Sequence, residues 1–166
     1  LGLVTGQVML FAVFLGSIVG GSLLSLLLHR NDSGYRALGA SGGVCGVIFA
    51  FVFLFPGAIM SFFFIPMPSW LYAILFVVVS FVALRNQFGH IGHDAHLGGA
   101  IVGLLITTVL YPSIVVWQPV LYAVVMGLSV LLFIDMYRNP FYLPGHNPFH
   151  PAYWRKKISD AQARRE

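Results

Sequence analysis

Ala95-His96-Leu97-Gly98-Gly99-Ala100-Ile101-Val102-Gly103 opens an apolar stretch that runs to Tyr111. It is answered upstream by Gly39-Ala40-Ser41-Gly42-Gly43, which opens a 17-residue apolar stretch ending at Phe55. A serine and a histidine, each flanked by small residues, therefore stand at matching ends of two segments with the composition of membrane helices. Polar groups able to transfer protons are costly at membrane depth and are usually kept there for a function. Small residues let helix backbones approach closely in lipid, and Gly42 with Gly46, and Gly99 with Gly103, supply them on both segments. His96, Gly99 and Gly103 fall at i, i+3 and i+7, hence on one helix face.

Composition sets the class. Of 166 residues, 58% are hydrophobic and 8% charged, against roughly 25% charged in an average soluble domain. So much apolar surface requires lipid as solvent, and the chain is read as an all-α polytopic membrane protein, integral and multi-pass. Six of the nine Lys and Arg lie after residue 135, a distribution that suits lipid headgroups and argues against nucleic acid as a partner. Cys45 is the single cysteine, which excludes an internal disulfide. The chain does not begin with Met, and no charged stretch precedes its first hydrophobic run, so that run is not a signal peptide. It reads as a fragment whose upstream part is missing.

A bilayer span needs about 20 mostly apolar residues. Five segments approach that length: 8–28, 39–55, 69–84, 95–111 and 119–134. Helix is the expected state throughout, because open strands leave unpaired backbone groups in hydrocarbon. The second segment is short enough to start inside the membrane, beside a wet cavity. Pro66-Met67-Pro68 reads as the turn into segment three, and Phe62-Phe63-Phe64 with Trp70-Leu71-Tyr72 resemble an interfacial aromatic belt. The membrane domain is expected over residues 1–137. Residues 138–166 form a Pro-rich, basic tail whose Trp154-Arg155-Lys156-Lys157 stretch suits a surface helix or a frayed end.

Consecutive spans alternate direction, so segments two and four run parallel and hold Ser41 and His96 at one depth. A serine hydroxyl is a poor nucleophile until a base takes its proton, and histidine titrates near neutral pH. Ser41 is the candidate nucleophile and His96 the candidate general base. At the start of segment two the backbone of Gly39, Ala40 and Gly42 offers N–H groups and the positive end of a helix dipole to an oxyanion. Gly46, Gly99 and Gly103 are the candidate packing residues of the site. Asp94, two residues from His96, points elsewhere on a helix, which leaves a dyad.

Simpler readings compete with each feature. Gly-Ala-Ser-Gly-Gly is also a small-residue packing patch. It matches the G-x-S-x-G elbow of soluble hydrolases too, but that elbow needs a preceding strand and a soluble sheet. His90, His93 and His96 with Asp94 could ligate a metal. Steps of three drift around a helix, however, and Gly89 and Gly92 argue for a loop, so no metal and no cofactor is expected. Cys45, one turn after Ser41, reads as buried packing.

Gly39-Ala40-Ser41-Gly42 at one helix start, residues 95–103 on another, and Gly20-Gly21-Ser22-Leu23-Leu24-Ser25-Leu26 in the helix before them together resemble the rhomboid family of intramembrane serine proteases. The resemblance covers residues 5 to 112. It implies a six-helix core with Ser41 as nucleophile and His96 as base, and transmembrane protein segments with a helix-destabilised cleavage site as substrates. It also implies two earlier helices, the second carrying a His and an Asn for the oxyanion hole. Neither precedes segment one here, so the chain is expected to be inactive alone. Many family members place an aromatic residue four positions after the serine, where this chain has Cys45. Segment five would be an addition after the core.

All nine Lys and Arg lie on the membrane side that holds Ser41 and His96, while 56–68 and 111–118 carry none. The positive-inside rule then puts that side in the cytoplasm, whereas the resemblance implies the opposite face. If segment five turned back without crossing, six of the nine charges would change sides and the conflict would largely dissolve. The function expected is an intramembrane serine endopeptidase. The alternative is a catalytically inactive rhomboid-like protein that binds transmembrane helices, which would have no need of both Ser41 and His96.

Overall fold

A computed structural model describes residues 2–30, 40–62, 64–85, 93–139 and 151–164. Its elements in chain order are α1 (Gly2–Leu28), α2 (Ser41–Leu54), β1 (Ile59–Phe62), β2 (Ile65–Pro68), α3 (Ser69–Arg85), α4 (His93–Leu110), α5 (Ser113–Trp117), α6 (Pro119–Arg138) and α7 (Pro151–Ala163). The molecule is a helical membrane bundle. Helices α1 and α6 are long and apolar enough to cross a bilayer, and α2, α3 and α4 are shorter apolar helices. At 1.5 Å per residue the 14 residues of α2 extend about 21 Å, less than the roughly 30 Å of bilayer hydrocarbon.

Local chemistry fixes the helix ends. Pro56 stops α2, since proline cannot supply the next helical N–H, and Phe55 N–H closes the last turn onto Phe51 O at 2.8 Å. Pro119 occupies the first turn of α6, where its missing N–H would have no partner anyway. Ser69, the first residue of α3, donates its hydroxyl to Phe55 O at 2.8 Å and its N–H to Ala58 O at 2.8 Å, which ties the start of α3 to the end of α2.

The stretch between α2 and α3 departs from an all-helical reading. Residues 59–68 form an antiparallel hairpin in which Met60 pairs with Met67 and Phe62 with Ile65, so Pro66 and Pro68 are strand residues and not a turn. Proline is tolerated on an edge strand. Two prolines two residues apart present their missing N–H groups on the same outer edge, leaving the inner edge free to pair. The hairpin satisfies much of its own backbone without water, as a low-dielectric surface requires.

Three helices make the centre. Helix α4 packs against α1, which runs antiparallel to it, and against α2, which runs parallel to it, and α1 and α2 also touch each other. At one end of the α1–α4 pair the Tyr111 hydroxyl meets Met9 Sδ at 2.6 Å, and at the other Asp94 meets His29 Nε2 at 3.3 Å. Between these ends the seam is built on glycine: a Cβ at Gly21 would come within 2.7 Å of Gly99 N, and one at Gly98 within 3.1 Å of Gly21 O. Helices α3 and α6 flank this trio through aromatic contacts, Phe49 with Phe76 at 5.5 Å and Phe53 with Tyr122 at 5.6 Å between ring centroids. The fully buried Phe49, Val52, Phe53, Leu97 and Leu104 lie at the meeting of the two groups.

Segment five crosses the bundle. Helix α6 begins near the end of α2, where Gln118 Nε2 donates to Phe53 O at 3.3 Å. It ends near the end of α1, where Arg30 donates to the Tyr137 hydroxyl at 2.8 Å and stacks on its ring. Arg138 therefore stays at the end of the bundle that holds Ser41, and the charge asymmetry is not removed by a segment that turns back.

Candidate active site

Ser41 is the first residue of α2 and is exposed, whereas Cys45, one turn further on, is buried. The first intrahelical bond runs from Val44 N–H to Ala40 O at 3.1 Å. The N–H groups of Ser41, Gly42 and Gly43 thus have no acceptor inside the helix, and they point from a positively poled helix end. Gly39 lies outside the described residues.

His96 is half-buried in the first turn of α4. Its helix is held against α2 by glycine on glycine. A Cβ at Gly99 would run into the Gly42 carbonyl, and one at Gly103 into the Gly46 backbone. Gly42 and Ala95, the chain neighbours of Ser41 and His96, also meet, since a Cβ at Gly42 would lie 3.1 Å from Ala95 O. A Cβ at Gly46 would run into the Ser17 side chain of α1 and lie 3.0 Å from Gly99 O. The structure therefore brings together Gly42, Gly46, Gly99 and Gly103, and with them the starts of the two helices that carry Ser41 and His96. Bulk at any of these positions would separate those helices.

Asp94 turns away from α2 towards α1. Its Oδ2 accepts a hydrogen bond from the Ser25 hydroxyl and lies 3.3 Å from His29 Nε2, with all three residues buried. This cluster is absent from a reading based on helix spacing alone. The signal available in the sequence is Ser25 and His29 at i and i+4, a polar pair at the end of a mostly apolar segment, at the membrane level where Asp94 opens segment four. His90 lies outside the described residues, and no group of three His, Cys, Asp or Glu suited to a metal ion occurs among the described ones.

The arrangement has the parts of nucleophilic catalysis: an exposed hydroxyl on a helix N-terminus, backbone N–H groups without an acceptor inside the helix beside it, and an imidazole on the helix packed against it. Comparison with known proteins agrees with this architecture. The chain is 34% identical over 100 residues to Rhomboid protein 1, mitochondrial, of Saccharomyces cerevisiae, a match covering 57% of the chain and 29% of that protein. It is 30% identical over 116 residues to RHOMBOID-like protein 12, mitochondrial, of Arabidopsis thaliana, covering 60% of the chain and 34% of that protein. The chain thus spans about a third of the length of these curated relatives. No solved structure matches it significantly. The rhomboid domain model matches residues 1–113 of 166, the stretch that includes α1, α2, α3 and α4, and the chain belongs to the rhomboid family.

Proposed function

We propose that this chain carries the catalytic helices of an intramembrane serine endopeptidase that cuts transmembrane segments of membrane proteins. Ser41 Oγ attacks the scissile carbonyl as His96 takes its proton, and the same imidazole returns the proton to the leaving amine. The tetrahedral oxyanion is held by N–H groups at the start of α2, those of Ser41 and Gly42 foremost. One such donor is typically worth about 3–4 kcal/mol.

The observation that carries this reading is the contact of Gly42 with Ala95 and Gly99, which joins the first turns of the serine and histidine helices through backbone alone. Membership of the rhomboid family supports the same chemistry. Substrates are membrane proteins, recognised within the bilayer.

The test is cleavage of a single-pass reporter by the full-length protein in membranes. Ser41→Ala and His96→Ala should each abolish turnover, and to a similar extent, because nucleophile and base act as a unit. His93→Ala should cost far less. Turnover retained by Ser41→Ala would sink the mechanism.

A further inference from the structure

We propose that Ser25, His29 and Asp94 form a polar latch that sets the position of His96, with Asp94 as a positioning residue rather than a catalytic one; this rests on the protease reading above. Asp94 is 3% exposed, Ser25 0% and His29 6%. The Asp94 carboxylate accepts a hydrogen bond from the Ser25 hydroxyl and faces His29 Nε2 at 3.3 Å. Ser25 and His29 are four residues apart at the end of α1, so both reach the same carboxylate from one face.

Energetics argue that this cluster serves geometry. A buried polar cluster is often no better for stability than apolar side chains of similar volume, whereas removing one partner leaves a buried polar group short of a hydrogen bond. Elsewhere along the α1–α4 seam Gly16 meets Ile106, Gly20 meets Val102 and Gly21 meets Gly99, and the Tyr111–Met9 contact lies at its far end. Such a seam fixes how near two helices lie, but it resists sliding and rotation weakly. A bonded carboxylate pins one register. Asp94 sits in the first turn of α4, the part of a helix most prone to fray, and His96 follows it by two residues. Any displacement of Asp94 therefore moves the imidazole with it. An acidic residue at the start of α4 also suits the sign of that helix's dipole.

The experiment uses full-length protein and two readouts: the rate at which a fluorophosphonate labels Ser41, which needs the His96 base but no docked substrate, and kcat with KM on a transmembrane reporter. Asp94→Ala should lower the labelling rate and kcat by on the order of 10- to 100-fold, the scale of an ~1 Å misplacement, and leave KM nearly unchanged. Asp94→Asn keeps the shape and an acceptor for Ser25, and should recover much of the loss. Asp94→Ala combined with His29→Ala should lose no more than Asp94→Ala alone, since both act through one contact. A wild-type labelling rate per folded molecule in Asp94→Ala, a loss confined to KM, or strict additivity in the double variant would overturn the latch. Should Asp94→Ala fail to fold, Ser25→Ala, which adds no bulk, should still slow labelling several-fold, and a wild-type rate there would overturn the proposal. Label on Ser41 of the wild type at a rate unaffected by these changes defeats the latch alone; wild type with no label on Ser41 defeats the protease reading and the latch together.

Discussion

Gly99 of α4 lies on the backbone of Gly42 in α2, so closely that a methyl group at Gly99 would overlap the Gly42 carbonyl. Because the obstacle is backbone, it cannot swing aside as a side chain would. Gly99→Ala should therefore destabilise the bundle by about 1–3 kcal/mol, the usual scale of overpacking. It should reduce cleavage more steeply than stability, because the serine and histidine helices part. Gly127 in α6 has open space around it. Gly127→Ala should raise stability by about 0.5–1 kcal/mol through helix propensity and leave cleavage unchanged. Unfolding midpoints in detergent, taken beside cleavage rates, check both.

Thr108 and Tyr122 join α4 to α6 by a 2.8 Å hydrogen bond between their hydroxyls, and the Tyr122 ring packs edge-on against Phe53. Tyr122→Phe keeps the ring and should cost about 0.5–1.5 kcal/mol. Tyr122→Ala also loses the aromatic contact and should cost clearly more. Equal effects on the unfolding midpoint would mean that ring packing contributes nothing at this joint.

The apolar segments and their helical state were legible because lipid demands internal backbone bonding, and few sequences of this hydropathy have another solution. The common face of Gly99 and Gly103 against α2 was likewise a matter of spacing. Two features were not legible. Hydropathy says that segment one is buried in lipid or protein but not which helix it meets, so the partners of Asp94, 65 and 69 positions away at His29 and Ser25, were out of reach. The hairpin was hidden by Pro66 and Pro68, which usually argue against a strand and are accommodated here only because both face an outer edge. Its tip holds Phe64 at φ 69° and 98% exposed, a conformation that no periodicity announces.

The course of α6 gives a topological prediction. Arg30 bonds Tyr137 at 2.8 Å, so the ends of α1 and α6 lie together, opposite the hairpin. With Cys45→Ser as background, Ser61→Cys and Asn139→Cys should react with a membrane-impermeant maleimide from opposite sides of sealed vesicles. Labelling of both from one side would mean that segment five does not cross.

The most direct test of the central claim is to treat the full-length protein with a fluorophosphonate and find the modified residue by peptide mass spectrometry. The account predicts a single adduct on Ser41, absent from Ser41→Ala and strongly reduced in His96→Ala. An adduct on any other serine, or undiminished labelling of Ser41 in His96→Ala, would contradict it.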